Sequence, residues 1–185
     1  ATNGILSVTI GHIDDFGDTP FDIVINCIGA GDPARVSDLG PGLFRITENF
    51  DNRVLDLITT YPEALYINMS SGAVYGTSFN QSPIDNSVMS RRVNHVKRAE
   101  WYGIAKRNAE AKHRAHADLN IVDIRIFSYF SRYLNRQGQL FIVDLVNALL
   151  DDTTLLTTAQ NSVRDYATPE DLFGLIWCIM NRWQN

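Results

Sequence analysis

Three short apolar runs punctuate the chain: Ile23-Val24-Ile25-Asn26-Cys27-Ile28, Leu65-Tyr66-Ile67-Asn68-Met69 and Ile121-Val122-Asp123-Ile124-Arg125-Ile126-Phe127. Each is rich in β-branched residues and bounded by turn formers, a pattern that predicts buried strands. Between the runs, apolar positions follow helical spacing from about Leu43 to Thr60 and from Ala99 to Ala117. Strand and helix thus alternate, as a parallel sheet with crossover helices requires. An earlier strand is expected from Ser7 to Ile10. The polar segment Gly76 to Asn94, which contains Pro83, reads as a long surface loop leading into the second helix.

Beyond Phe127 the pattern changes. Leu140 to Leu150 predicts a helix, Thr154 to Thr158 a short strand, and Pro169-Glu170-Asp171 the opening of a strongly apolar terminal helix. This tail reads as a cap over the sheet. Neither an internal repeat nor a flexible linker marks a second independent unit. The expected fold is α/β, a parallel sheet with flanking helices and a small C-terminal cap.

Composition narrows the choice of partners. With 185 residues, 45% hydrophobic and 20% charged, the chain can build one core. A net charge of -5 argues against a nucleic-acid binder, whose affinity comes from clustered Lys and Arg. Arg91-Arg92, Lys97-Arg98 and Lys106-Arg107 read as solvated faces of a loop and a helix. Cys27 and Cys178 lie in apolar surroundings and are expected as small core residues, which implies a reducing compartment and a cytoplasmic location. The apolar stretch Leu172 to Met180 is far shorter than the ~20 residues that span a bilayer. No basic-then-apolar signal pattern opens the chain.

The candidate chemistry lies in Tyr102-Gly103-Ile104-Ala105-Lys106 and in the earlier Ser70-Ser71-Gly72-Ala73-Val74-Tyr75-Gly76. Residues four apart share a helix face, so Tyr102 and Lys106 can enter one pocket. An ammonium beside a phenol favours phenolate and moves its pKa towards working pH, where acid–base catalysis is most effective. A nearby serine hydroxyl can orient a substrate alcohol or carbonyl. Rival constellations are weaker. Asn68-Met69-Ser70-Ser71-Gly72 lacks the first glycine of a hydrolase nucleophile elbow, although Asp123 or Asp165 with a histidine would complete a triad. His113, His116 and Asp118 have a ligand-like spacing, but no further spaced ligand, and read as surface residues of a helix end. Asn68-Met69-Ser70 fits a glycosylation sequon inside a predicted buried strand.

Taken in order, these motifs resemble the extended short-chain dehydrogenase/reductase family, especially its nucleotide-sugar epimerases and dehydratases. Phe21 to Gly29 is similar to the strand and turn beside the nicotinamide half of the cofactor, and Asn49 stands where the family has a helix asparagine. Ser71, Tyr102 and Lys106 match the catalytic Ser/Thr, Tyr and Lys. Arg164-Asp165-Tyr166-Ala167-Thr168-Pro169-Glu170-Asp171-Leu172 resembles the segment entering the final substrate-domain helix. The resemblance implies NAD or NADP as cofactor, near Cys27, Gly29, Asn49, Ser70, Tyr102, Lys106 and Phe127. It also implies a nucleotide sugar near Ser71, Gly72, Ala73, Ser128 and Arg164. The activity implied is epimerisation, or ketosugar reduction; the third reading is a non-catalytic binding module.

The chain departs from the family pattern in three places. The Gly-x-x-Gly-x-x-Gly turn that brings a helix N-terminus up to the pyrophosphate is missing, and Gly29-Ala30-Gly31-Asp32-Pro33 reads as a simple turn after a strand. Ser128 stands where the family often has asparagine. Gly72 and Ala73 replace the Asp-Glu pair that family dehydratases carry after the serine or threonine. The resemblance thus implies a partial dinucleotide-binding domain over 1–130 and a partial, dependent substrate cap over 131–185. Weak cofactor binding by these residues alone, and self-association or a homodimer, are expected.

Overall fold

The computed structural model describes residues 8–12, 14, 20–30, 32–76, 93–159 and 162–183. Its strands are β1 (Ile23–Asn26), β2 (Leu65–Ser71) and β3 (Asn120–Ile126). Its helices are α1 (Pro33–Leu39), α2 (Gly42–Thr60), α3 (Trp101–Ala115), α4 (Phe141–Leu150) and α5 (Pro169–Trp183). The three strands form a parallel sheet in the order β1-β2-β3, with Ile25 beside Ile67 and Ile67 beside Val122.

The unbroken apolar character of β2 follows from burial on both faces. Successive strand residues point to opposite sides. Tyr66 packs with Val54, Leu55 and Ile58 of α2, whereas Leu65 and Ile67 join Ile124 beneath Leu172, Ile176, Ile179 and Trp183 of α5. The sheet is therefore a middle layer, and its C-terminal edge is where β1 and β2 release the chain into turns.

Several expectations change. Val8 to Ile10 is not a strand, and Ser7 lies outside the described residues. Thr154 to Thr158 is irregular. Most of the expected loop, residues 77–92, lies outside the described residues, while Val93–His95 forms a short 3-10 turn. Pro33 does not close a turn but opens α1, because its fixed φ suits a first helical position and the Asp32 carboxylate caps the Ala34 N–H at 2.7 Å.

Both cysteines are exposed. Cys27 sits just past the last residue of β1, beyond the packed part of the strand. Cys178 lies off the α5 face that meets the sheet, alongside exposed Phe173 and Trp177. An apolar helix buries only the face that finds a partner. Among the described residues, no helix is long and apolar enough to cross a membrane.

Candidate active site

At the end of β2 the chain turns into a 3-10 segment, Gly72–Tyr75, and the Ser71 hydroxyl oxygen caps it by accepting the Ala73 N–H at 3.1 Å. Helix α3 lies hard against this turn. A Cβ at Gly103 would overlap the Ala73 carbonyl, so glycine is what lets the helix approach. This contact sets the Tyr102 phenol beside the Ser71 hydroxyl, near enough for the two to interact electrostatically.

One turn further along α3, Lys106 is 2% exposed. Its ammonium donates to the carbonyls of Ile28, 3.2 Å, and Met69, 2.7 Å. A Cβ at Gly29 would come within 3.2 Å of Lys106 Nζ and 4.0 Å of the Tyr102 oxygen. Ser71, Tyr102, Lys106 and Gly29 therefore converge where β1 and β2 end. The expectation that Lys106 belongs to a solvated face is corrected: four-residue spacing from Tyr102 carries it inwards.

The electrostatics differ from the sequence expectation as well. Burial pushes the Tyr102 phenol above its ordinary value, and the Ser71 hydroxyl beside it offsets part of that. Desolvation of the phenolate dominates, and the Lys106 ammonium is engaged with two carbonyls. Burial likewise pushes the Lys106 ammonium down, against the opposing pull of Asp51 and Asp123.

Around this cluster, Ser70 is buried and donates its hydroxyl to Glu110 at 2.5 Å. Arg125 meets Glu110 through Nε at 3.1 Å and Nη2 at 2.6 Å, and donates to the Tyr75 hydroxyl at 2.5 Å. The Tyr75 and Phe127 rings stack at 5.9 Å, and a Cβ at Gly72 would overlap the Phe127 ring. Ala73 is half-buried under α3. Asn49 is exposed on α2, whose buried polar positions nearby are Thr47 and Asp51. Ser128 engages through its carbonyl, which accepts the Ala167 N–H at 2.9 Å. Arg164 is exposed, its guanidinium 4.6 Å from the Phe141 ring centroid of α4, a partner outside the Ser71–Tyr102–Lys106 cluster.

Sequence reasoning missed a second polar cluster behind the site. His113, expected at the surface, is 2% exposed, with Nε2 2.8 Å from Asp51 and Nδ1 2.7 Å from Asp123. Tyr66 donates to Asp51 at 2.9 Å, Asn26 to Tyr66 at 2.9 Å, and Asn68 to Asp123 at 2.8 Å. Lys112 and Arg114 reach the outer oxygens of Asp51 and Asp123 at 2.7 and 2.9 Å. The available signal was spacing: Lys106, Glu110 and His113 share one helix face. Burial disfavours the imidazolium, but the bonds to Asp123 and Asp51 outweigh it and raise His113 to about 9. Of its sequence neighbours, His116 is half-buried at the end of α3 and Asp118 is exposed.

A model of the NAD dependent epimerase/dehydratase family matches residues 9–185. Among the solved structures that share the fold are three that bind a dinucleotide. They are UDP-glucuronic acid 4-epimerase from Bacillus cereus in complex with NAD (15% identity, TM-score 0.65, 92% of this chain and 53% of that one), dTDP-glucose 4,6-dehydratase from Bacillus anthracis in complex with NAD (16%, 0.64, 85% and 47%), and RMD from Pseudomonas aeruginosa with NADPH (14%, 0.67, 92% and 60%). The chain thus spans roughly half the length of the structures it matches. No curated protein matches by sequence.

Proposed function

This chain belongs to the NAD dependent epimerase/dehydratase family, and on that premise we propose that it carries the catalytic centre of an NAD(P)-dependent epimerase acting on a nucleotide-activated sugar. The observation that supports this reading is the convergence of the Ser71 and Tyr102 hydroxyls, with buried Lys106 and side-chain-free Gly29 beside them. Tyr102 takes and returns the proton of the reacting sugar hydroxyl, and Ser71 orients that oxygen. Lys106 holds positive charge next to the phenol and meets a ribose hydroxyl. When bound, the cofactor supplies a hydride acceptor and donor. Residues 131–185 act as a substrate-side cap that depends on the sheet, a reading supported by the packing of α5 on Leu65, Ile67 and Ile124.

Epimerisation is favoured over elimination by what flanks Ser71. Gly72 and Ala73 carry no titratable group, and the Phe127 ring fills the space a side chain at position 72 would need. Loss of water would require an acid and a base there. With protein from its native source, NAD and a nucleotide hexose, the product is expected to keep the substrate's mass with no net NADH formed. A product lighter by one water, or stoichiometric NADH formation, refutes the epimerase reading; stoichiometric consumption of NAD(P)H with a nucleotide ketosugar would indicate a ketosugar reductase.

The two halves of a dinucleotide fit unequally. At the nicotinamide-ribose end, Gly29 leaves open the space beside Lys106 and Tyr102. For the pyrophosphate there is no glycine-rich turn, and the helix that follows β1 is already capped by the Asp32 carboxylate, which repels phosphate. Calorimetric titration of the 185-residue chain with NAD and NADP is expected to show weak or no binding, with light scattering reporting any self-association. Micromolar binding by a monomer would overturn this and place the phosphates on another loop.

A further inference from the structure

We propose that His113 is a positioning residue: a buried imidazolium held between two carboxylates that fixes the register of the helix carrying Tyr102 and Lys106. The argument begins with valence. Each ring nitrogen faces a carboxylate oxygen, Asp51 from α2 and Asp123 from β3, at 2.8 and 2.7 Å. An ionised carboxylate only accepts, so both nitrogens must donate, and an imidazole with two N–H groups is cationic. The other polar groups at the triple agree. Tyr66 and Asn68 of β2 donate to the same carboxylate oxygens that His113 meets, which keeps those oxygens as acceptors. Lys112 and Arg114, the sequence neighbours of His113, occupy the outer oxygens.

Three consecutive basic residues thus pin the last turns of α3 to α2 and to the sheet. The other end of α3 is fixed by the contact of Gly103 with Ala73. Between these anchors lies Lys106, two helical turns from His113 on the same face, with its ammonium resting on two neutral carbonyls. Sliding or turning α3 would break the imidazolium bonds as well as move Lys106 off those carbonyls. The role of His113 in catalysis rests on the reading of Tyr102 and Lys106 given above; the clamp itself does not.

Two measurements on the 185-residue chain test the proposal without any turnover. In nitrogen-15 histidine spectra, the His113 ring is expected to show two protonated nitrogens at pH 7.5, consistent with its raised pKa; a neutral tautomer at that pH overturns the proposal. The His113→Gln variant, which keeps a donor and loses the charge, is then compared with Leu172→Ala, which weakens packing on the α5 side of the sheet. Breaking a buried ion pair is expected to speed amide hydrogen exchange in α3 on the order of 100-fold, whereas Leu172→Ala should loosen α5 first. Equal loss of protection in all helices of His113→Gln would mean that the residue stabilises generally and positions nothing. If His113→Gln does not fold, the wild-type spectrum still decides the charge state, and His113→Asn carries the exchange comparison. Failure of the clamp leaves the Tyr102 assignment standing; failure of that assignment leaves the clamp.

Discussion

Replacing Tyr102 by phenylalanine in the natively expressed protein is expected to lower turnover of the nucleotide sugar by ~10²–10⁴-fold, the usual contribution of a positioned acid–base group. The substitution removes one oxygen and retains the ring, so packing against the turn after β2 is kept. What is lost is the polar contact with Ser71 and the only hydroxyl on α3. Even a well-formed neutral hydrogen bond contributes only about 1 kcal/mol to stability, so loss of this contact is too little to unfold a domain. Circular dichroism and thermal unfolding should therefore match the parent while the steady-state rate collapses. A variant within a few-fold of wild type would remove Tyr102 from the proton-transfer role.

The chain's own pattern made much of this arrangement legible. The three apolar runs mark the strands to within a few residues, because a strand buried on both faces needs continuous apolar character and little else does. Tyr102 and Lys106 were readable from helical spacing. Their state of charge was not: the sequence places an ammonium beside a phenol, but desolvation, which pushes the phenol up, depends on what covers the pair. Cys178 shows the same limit from the apolar side, since α5 looks equally apolar around its circumference and only one face meets the sheet. Thr154 to Thr158 has strand-like composition but, among the described residues, no neighbouring strand to bond, and propensity alone does not make a strand. His113 stayed hidden because its partners, Asp51 and Asp123, are 62 and 10 residues away along the chain. A histidine flanked by Lys112 and Arg114 has a surface composition; the carboxylates that bury it come from other elements.

That hidden cluster sets the second large effect. Asp123→Ala is expected to destabilise the chain by ~3–5 kcal/mol, the cost of leaving a buried charge without its partner, which for a chain of this size lowers the unfolding midpoint by about 10 °C. The Asp123 side chain is 1% exposed and receives His113, Asn68 and Arg114; its removal leaves the Asn68 amide and one ring nitrogen of His113 without their acceptor in the interior. The pH dependence carries a sign that identifies the cause. Burial works against the charged forms of Asp51 and Asp123, but bonding to His113, together with Lys112 at Asp51 and Asn68 and Arg114 at Asp123, outweighs it and holds both carboxyls below the usual range. Their stabilisation is present above the ordinary carboxylate pKa of about 3.9 and is lost as pH falls through the depressed folded values. His113 is shifted the other way, to about 9. Its contribution is complete below its unfolded pKa of about 6.5 and is lost as pH rises through the folded one. Wild-type stability should thus be highest between roughly pH 4 and 6.5 and decline towards 9. In Asp123→Ala the plateau is lower and the alkaline decline shallower, because one carboxylate alone raises His113 less. Thermal unfolding across this range, with the exposed Asp118→Ala as a control that should track wild type, checks both features. A midpoint for Asp123→Ala within about 2 °C of the parent, under 1 kcal/mol on this scale, would mean that the buried triple does not hold α3 to the sheet.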